Sequence, residues 1–156
     1  MQDSIFCLGG LQDNRSAFYQ GTTAWYKTFV GDGFTCAINS QNDNICYTEY
    51  SYGDIYRSGN RGVSWSNIGP PGAGNASNYC FAAPFISTRA NPNILYVGGT
   101  NLYKSTTGSG SWVSVGILGA KALSMDASAT SSDTVYIGTI PVINSQDAKI
   151  YKLTGS

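Results

Sequence analysis

Nine acidic residues and no histidine limit the chemistry open to this 156-residue chain. Hydrolysis of a glycoside takes two carboxyl groups astride the scissile bond, one of them held protonated. The acids are Asp3, Asp13, Asp32, Asp43, Glu49, Asp54, Asp126, Asp133 and Asp147. Asp43 and Asp133 fall in turn clusters and Asp54 opens a strand, so turn chemistry accounts for these three. Asp13 and Asp32 remain as a pair able to share one face of the fold. An Asx turn at Asp13-Asn14 and a tight connection at Gly31-Asp32-Gly33 explain them as structure instead. A serine or cysteine triad has no histidine to act as its base. No catalytic residue is assigned, and the chain leans away from being an enzyme.

Binding is the stronger expectation. Gln12, Asp13, Asp32, Tyr52, Asn78 and Tyr79 form an amide, acid and aromatic set on predicted loops, suited to stacking on sugars. A turn role for Tyr52 and a packing role for Tyr79 are the structural alternatives. Cys7, Cys36, Cys46 and Cys80 show no C-x-x-C spacing. Without histidine a zinc site would need all four scattered thiolates, so no metal and no cofactor is expected. An even cysteine count suits an oxidising compartment. Pairing Cys36 with Cys80 and Cys7 with Cys46 would staple consecutive units; four buried free thiols are the alternative. Asn14-Arg15-Ser16 and Asn75-Ala76-Ser77 are glycosylation sequons on predicted loops.

The composition sorts the partners. Charged residues make up 12% of the chain and the net charge is zero, against about 25% charged residues in an average soluble domain. There is no basic stripe, which argues against nucleic acid and anionic membrane. No apolar run approaches the length of a spanning helix. A polar, uncharged surface with 13% aromatic residues fits an extracellular protein that meets neutral ligands such as glycans. The opening Met-Gln-Asp-Ser lacks the basic and apolar regions of a signal peptide, so a removed leader or a longer polypeptide is expected.

What must position these residues is a repeat. One strand reads S-I-F-C-L-G-G from Ser4, N-I-C-Y-T-E-Y from Asn44, N-I-L-Y-V-G-G from Asn93 and D-T-V-Y-I-G-T from Asp133, at spacings of 40, 49 and 40. A following strand reads A-F-Y-Q-G, D-I-Y-R-S, N-L-Y-K-S and K-I-Y-K-L, and a third closes three units with Trp25, Trp65 and Trp112. Short strands at a fixed period of this size are the signature of propeller blades. The expected fold is all-β: a β-propeller segment of about three and a half four-stranded antiparallel blades, divided as 1–31, 32–69, 70–116 and 117–156. The units hold three, four, four and three strands, 14 in all, with essentially no helix. Among them 34–39 and 81–88 are expected as the inner strands of the second and third units, and 122–127 as that of the fourth. The next strand of the second unit is expected at 45–50 and its outer strand at 63–68. Loops 11–16, 51–53, 69–79 and 141–148 are expected at the ligand end of the axis. Open blade edges tend to recruit another chain. The expected partners are therefore the rest of a longer propeller or further copies of the chain itself, in a homo-oligomer or filament.

Between the last two strands of the second unit, Ser58-Gly59-Asn60-Arg61-Gly62-Val63-Ser64-Trp65 matches S-x-D-x-G-x-[S/T]-W with Asn for Asp. It resembles the Asp-box, or bacterial neuraminidase repeat, of sialidases, sortilin-type receptors and xyloglucan-cleaving glycosidases. A looser copy carries Ser105, Thr107, Ser111 and Trp112. Gly9-Gly10-Leu11-Gln12-Asp13-Asn14, Gly31-Asp32-Gly33 and Asn91-Pro92-Asn93 resemble secreted bacterial members of this class. The resemblance implies a propeller whose boxes are peripheral and structural, so Ser58, Asn60, Gly62, Ser64 and Trp65 are expected to shape turns. It implies no activity. The expected function is a non-catalytic extracellular structural, adhesive or self-assembling module. The alternative is part of a glycan-binding or glycan-cleaving propeller.

Overall fold

The computed structural model describes residues 5–29, 31–141 and 147–155, and among them there are strands and turns but no helix. The first sheet holds β1 (Phe6–Leu11), β2 (Arg15–Gln20) and β3 (Tyr26–Phe29). The second holds β4 (Cys36–Ile38), β5 (Cys46–Glu49), β6 (Ile55–Ser58) and β7 (Ser66–Asn67). The third holds β8 (Phe85–Ser87), β9 (Leu95–Gly98), β10 (Asn101–Ser105) and β11 (Trp112–Ile117). The fourth holds β12 (Ala122–Ala127), β13 (Thr134–Thr139) and β14 (Ile150–Thr154). All ladders are antiparallel meanders. The innermost strands β1, β4, β8 and β12 neighbour one another in that order, so the sheets fan out like blades.

Burial explains the sequence pattern. Every residue of β5 and of β9 is buried, because each strand is covered on both faces by adjoining sheets. Tyr47, Ile55, Tyr79, Phe85, Leu95 and Val97 fill the seam between the second and third sheets. Tyr96, Leu102, Leu118, Val135 and Ile137 fill the seam between the third and fourth. At the seam between the first and second sheets, Ser16 and Thr48 share a 2.6 Å hydroxyl–hydroxyl bond, and Trp65 packs edge-on against Phe29 at 5.8 Å.

The structure corrects four expectations. The second-sheet outer strand, expected from Val63, is cut to Ser66–Asn67 because the amides of Val63 and Ser64 are spent on Asn60. The third-sheet inner strand, expected from Phe81, starts at Phe85, since the Ala83 amide goes to Glu49 and Pro84 has no N–H. The third correction is one of register. Phe6 pairs with Gln20, whereas Tyr47 pairs with Arg57 and Tyr96 with Lys104. Phe6, not Cys7, therefore holds the position of the buried tyrosines.

The fourth correction concerns the expected disulfides, for all four cysteines are free thiols. Cys7 lies exposed opposite Tyr19, on the side of the first sheet turned away from the second. Cys46 is buried on the far side of that sheet, so the pair cannot meet. Cys36 turns its Sγ to Thr48 on the side of the first sheet, 3.4 Å away. Cys80 stands in the loop before β8, where burial raises its thiol against the opposing pull of Lys121, the residue before β12. Burial pushes the Cys46 thiol up to about 12 and raises Cys36 as well, which makes both poor nucleophiles.

Candidate functional site

The turns at one end of the sheets gather most of the predicted ligand set. Gly10 has no room for a Cβ, which would fall 2.1 Å from the Phe34 carbonyl oxygen, so the end of β1 lies tight against the entry to β4. Gly33 N–H donates to Leu11 O at 3.2 Å, and Asp13 N–H donates to Asp32 Oδ1 at 2.7 Å. Asp13, Arg15, Gly31, Asp32 and Tyr50 thus line one shallow hollow of about 320 Å³. Asp13, Arg15 and Tyr52 adopt φ of 61°, 71° and 52°, three of the four non-glycine residues with positive φ among the described residues. Such backbone is rare away from Gly, Asn and Asp.

Beside the hollow runs an aromatic row. Phe34 meets Phe81 edge-to-face at 4.9 Å, and Phe81 meets Tyr52 at 5.2 Å. Tyr52 N–H donates to Phe81 O, which ties the second sheet's turn to the third sheet's entry loop. Asn78 lines a separate hollow of about 210 Å³ with Pro71, Thr100, Asn101 and Tyr103. Tyr79 borders that hollow yet is buried in the core, its hydroxyl donating to Pro71 O at 3.0 Å. Gln12 is exposed at the tip of its turn, and its carbonyl accepts from Asn14 Nδ2. Asn14 and Asn75 are both exposed on turns. The last loop expected at this end, 141–148, lies mostly outside the described residues.

The set therefore divides. Asp13 joins Asp32, Tyr52 joins Phe81, and Asn78 stays with Tyr79 elsewhere. Sequence reasoning missed Phe34, Tyr50 and Phe81, because their aromatic character was assigned to strands. It also missed Glu49, whose signal was an acid inside an apolar strand. Glu49 is buried and accepts at Oε1 from Gly53 N–H at 3.1 Å and from Ala83 N–H at 2.7 Å. Burial raises its carboxyl to about 7. Its carboxyl is enclosed between the second and third sheets. Among the described residues no cluster of acids, cysteines or histidines has the makings of a metal site.

The residues of the Asp-box-like turn are occupied with one another. Ser58 Oγ accepts from the amides of Asn60 and Gly62 and donates to Asn60 Oδ1. Asn60 Oδ1 also accepts from Ser64 N–H at 2.9 Å, and Asn60 Nδ2 donates to Ser64 Oγ at 3.0 Å. Gly62 sits at φ 84°, a conformation that glycine adopts without strain. Trp65 Nε1 donates to Thr28 Oγ1 of the first sheet at 2.9 Å, and Thr28 Oγ1 in turn donates to Gly62 O. The looser copy keeps Ser105, Thr107 and Ser109 in hydroxyl contact, Ser111 is exposed, and Trp112 Nε1 donates to Ile68 O of the second sheet.

A groove of about 500 Å³ follows the inner strands, lined by Leu8, Cys36, Ile38, Ser87, Thr88 and Arg89. Arg89 also borders the adjoining hollow with Asp126.

No protein-family model matches the chain, and no curated protein does. Solved structures do. A GH74 enzyme of Niastella koreensis superposes with a TM-score of 0.76 at 15% identity, over 98% of this chain and 27% of that one. An ancestral GH74 enzyme gives 0.74 at 14% identity, over 97% and 21%. The GH74 xyloglucanase of Xanthomonas campestris gives 0.68 at 14% identity, over 96% and 27%. The chain spans about a quarter of the length of these proteins. At such identities the likeness fixes the architecture, a partial β-propeller, and nothing about chemistry.

Proposed function

We propose that the chain is a non-catalytic, extracellular Asp-box propeller module that acts structurally, by packing its open blade faces on another propeller surface. One observation carries this role. The outer sides of the first and fourth sheets expose Trp25, Tyr136 and Ile150, residue types that the internal seams bury. Large apolar side chains exposed at positions that the internal seams cover are suited to a protein interface. The sealed position of Glu49 supports a non-catalytic role. Sedimentation velocity tests it: species heavier than the 16.6 kDa chain should grow with concentration, with no reducing sugar released from xyloglucan. A chain that stays monomeric at every concentration would overturn the structural role, and release of reducing sugar would overturn the non-catalytic one.

The aromatic row of Phe34, Phe81 and Tyr52 beside Asp13 and Asp32 favours one second role, glycan binding. Aromatic faces stack on sugar rings while carboxylates accept from hydroxyls. Calorimetric titration with a xyloglucan oligosaccharide should then give heat that Phe81→Ala abolishes. Equal heat from the variant, or none from either protein, would discard the role.

A further inference from the structure

We infer that the open side of the fourth sheet docks on the open side of the first sheet of a second copy, in a head-to-tail contact. The inference rests on the structural role proposed above and adds to it an orientation and the residues that set it.

The internal seams reuse the same parts. On the forward side of a sheet, a tyrosine pairs with a cationic residue on the next strand, Tyr47 with Arg57 and Tyr96 with Lys104. The tyrosine hydroxyl crosses the seam to a carbonyl of the following sheet, Tyr47 to Gly108 O at 3.1 Å and Tyr96 to Ser132 O at 2.9 Å. An aliphatic residue beside it, Ile55 or Leu102, lies in a cluster that a tyrosine of the following sheet covers, Tyr103 or Tyr151.

The fourth sheet carries a complete forward half. Tyr136 pairs with Lys152, whose ammonium stands 5.6 Å from the ring centre, and Ile150 takes the place of Ile55 and Leu102. Here the half is bare: Ile150 is 85% and Tyr136 46% exposed, while Ile55 and Tyr47 are fully buried. The first sheet carries the rear half. Tyr19 takes the place of Tyr103 and Tyr151, Cys7 lies opposite it, and Trp25 stands 5.5 Å from its ring with 55% of its surface exposed.

The chain thus presents one bare half of each kind. A two-fold contact between forward halves would set the two Lys152 ammonium groups side by side and leave each Ile150 without its aromatic cover. Joining forward to rear covers Ile150 with Tyr19. It also offers the Tyr136 hydroxyl a carbonyl in the 21–24 turn, the counterpart of the turn that holds Gly108. Such heterologous contacts close into rings or extend as filaments, according to the rotation between copies.

Trp25→Lys and Ile150→Lys each charge one open side without touching a seam. In sedimentation velocity the unmodified chain should associate, each variant alone should sediment as a monomer, and their equimolar mixture should stop at a heterodimer. That heterodimer itself shows that both variants fold. A variant that still dimerises alone would overturn the orientation while leaving the structural role standing. So would a mixture that does not pair, provided circular dichroism shows both variants folded. If the unmodified chain stays monomeric at every concentration, the orientation and the role fail together.

Discussion

At the junction of the second and third sheets, Glu49 holds two amides with Oε1, while Oε2 is buried with no hydrogen-bond partner. Its folded-state carboxyl is raised from 4.5 to about 7 by burial. A raised acid binds more protons folded than unfolded, so its contribution is full below the unfolded value and fades as pH climbs to about 7. Glu49→Gln should therefore flatten the stability profile between pH 4.5 and 7, by up to about 3 kcal/mol. Urea melts at both ends of that window measure it; an unchanged slope in the variant would exclude Glu49 as the titrating group. At the same scale, Asn60→Ala strips the acceptor from Ser64 N–H and should cost about 1–2 kcal/mol. Asn60→Asp, which restores the acceptor and supplies the aspartate of the motif it resembles, should recover most of it.

Among the elements, the two Asp-box-like turns do more than reverse the chain. Trp65 and Trp112 each donate an indole N–H to the preceding sheet, so a turn within one blade also latches it to its neighbour. Trp65→Phe keeps the ring contacts and removes the bond to Thr28, for an expected loss of about 1 kcal/mol. A double-mutant cycle with Thr28→Val should show coupling between the two positions; independent effects would mean that the ring alone does the latching. Elements with strong local signals were legible: β10, β12 and β13 carry turn residues at both ends and run where the repeat put them. The first strand was harder, because S-I-F-C-L aligns as well one residue along, and a single slip in a two-residue period swaps every side chain's face. Only the neighbouring sheet, which buries Phe6 and leaves Cys7 out, decides between the two registers. The candidate site was half legible for a related reason. Asp13 and Asp32 announce their turns locally, whereas Phe34 and Phe81 become neighbours through the packing of two sheets.

For the whole molecule, the four sheets follow one another in space as they do in sequence, and each seam joins one sheet only to the next. Stability in such a stack is a sum of intrinsic terms and nearest-neighbour seams. The second and third sheets have two seams each, the first and fourth one. Amide hydrogen exchange should then be graded, with β5 and β9 the slowest to exchange and β14 among the fastest. Equal protection in β14 and β9 would contradict this picture. Docking a further sheet at either end would slow exchange in the sheet it covers and, more weakly, in the sheets beyond. Opening would thus begin at the two ends and run inward, so the chain's lifetime depends on how well its end sheets are capped as well as on its core.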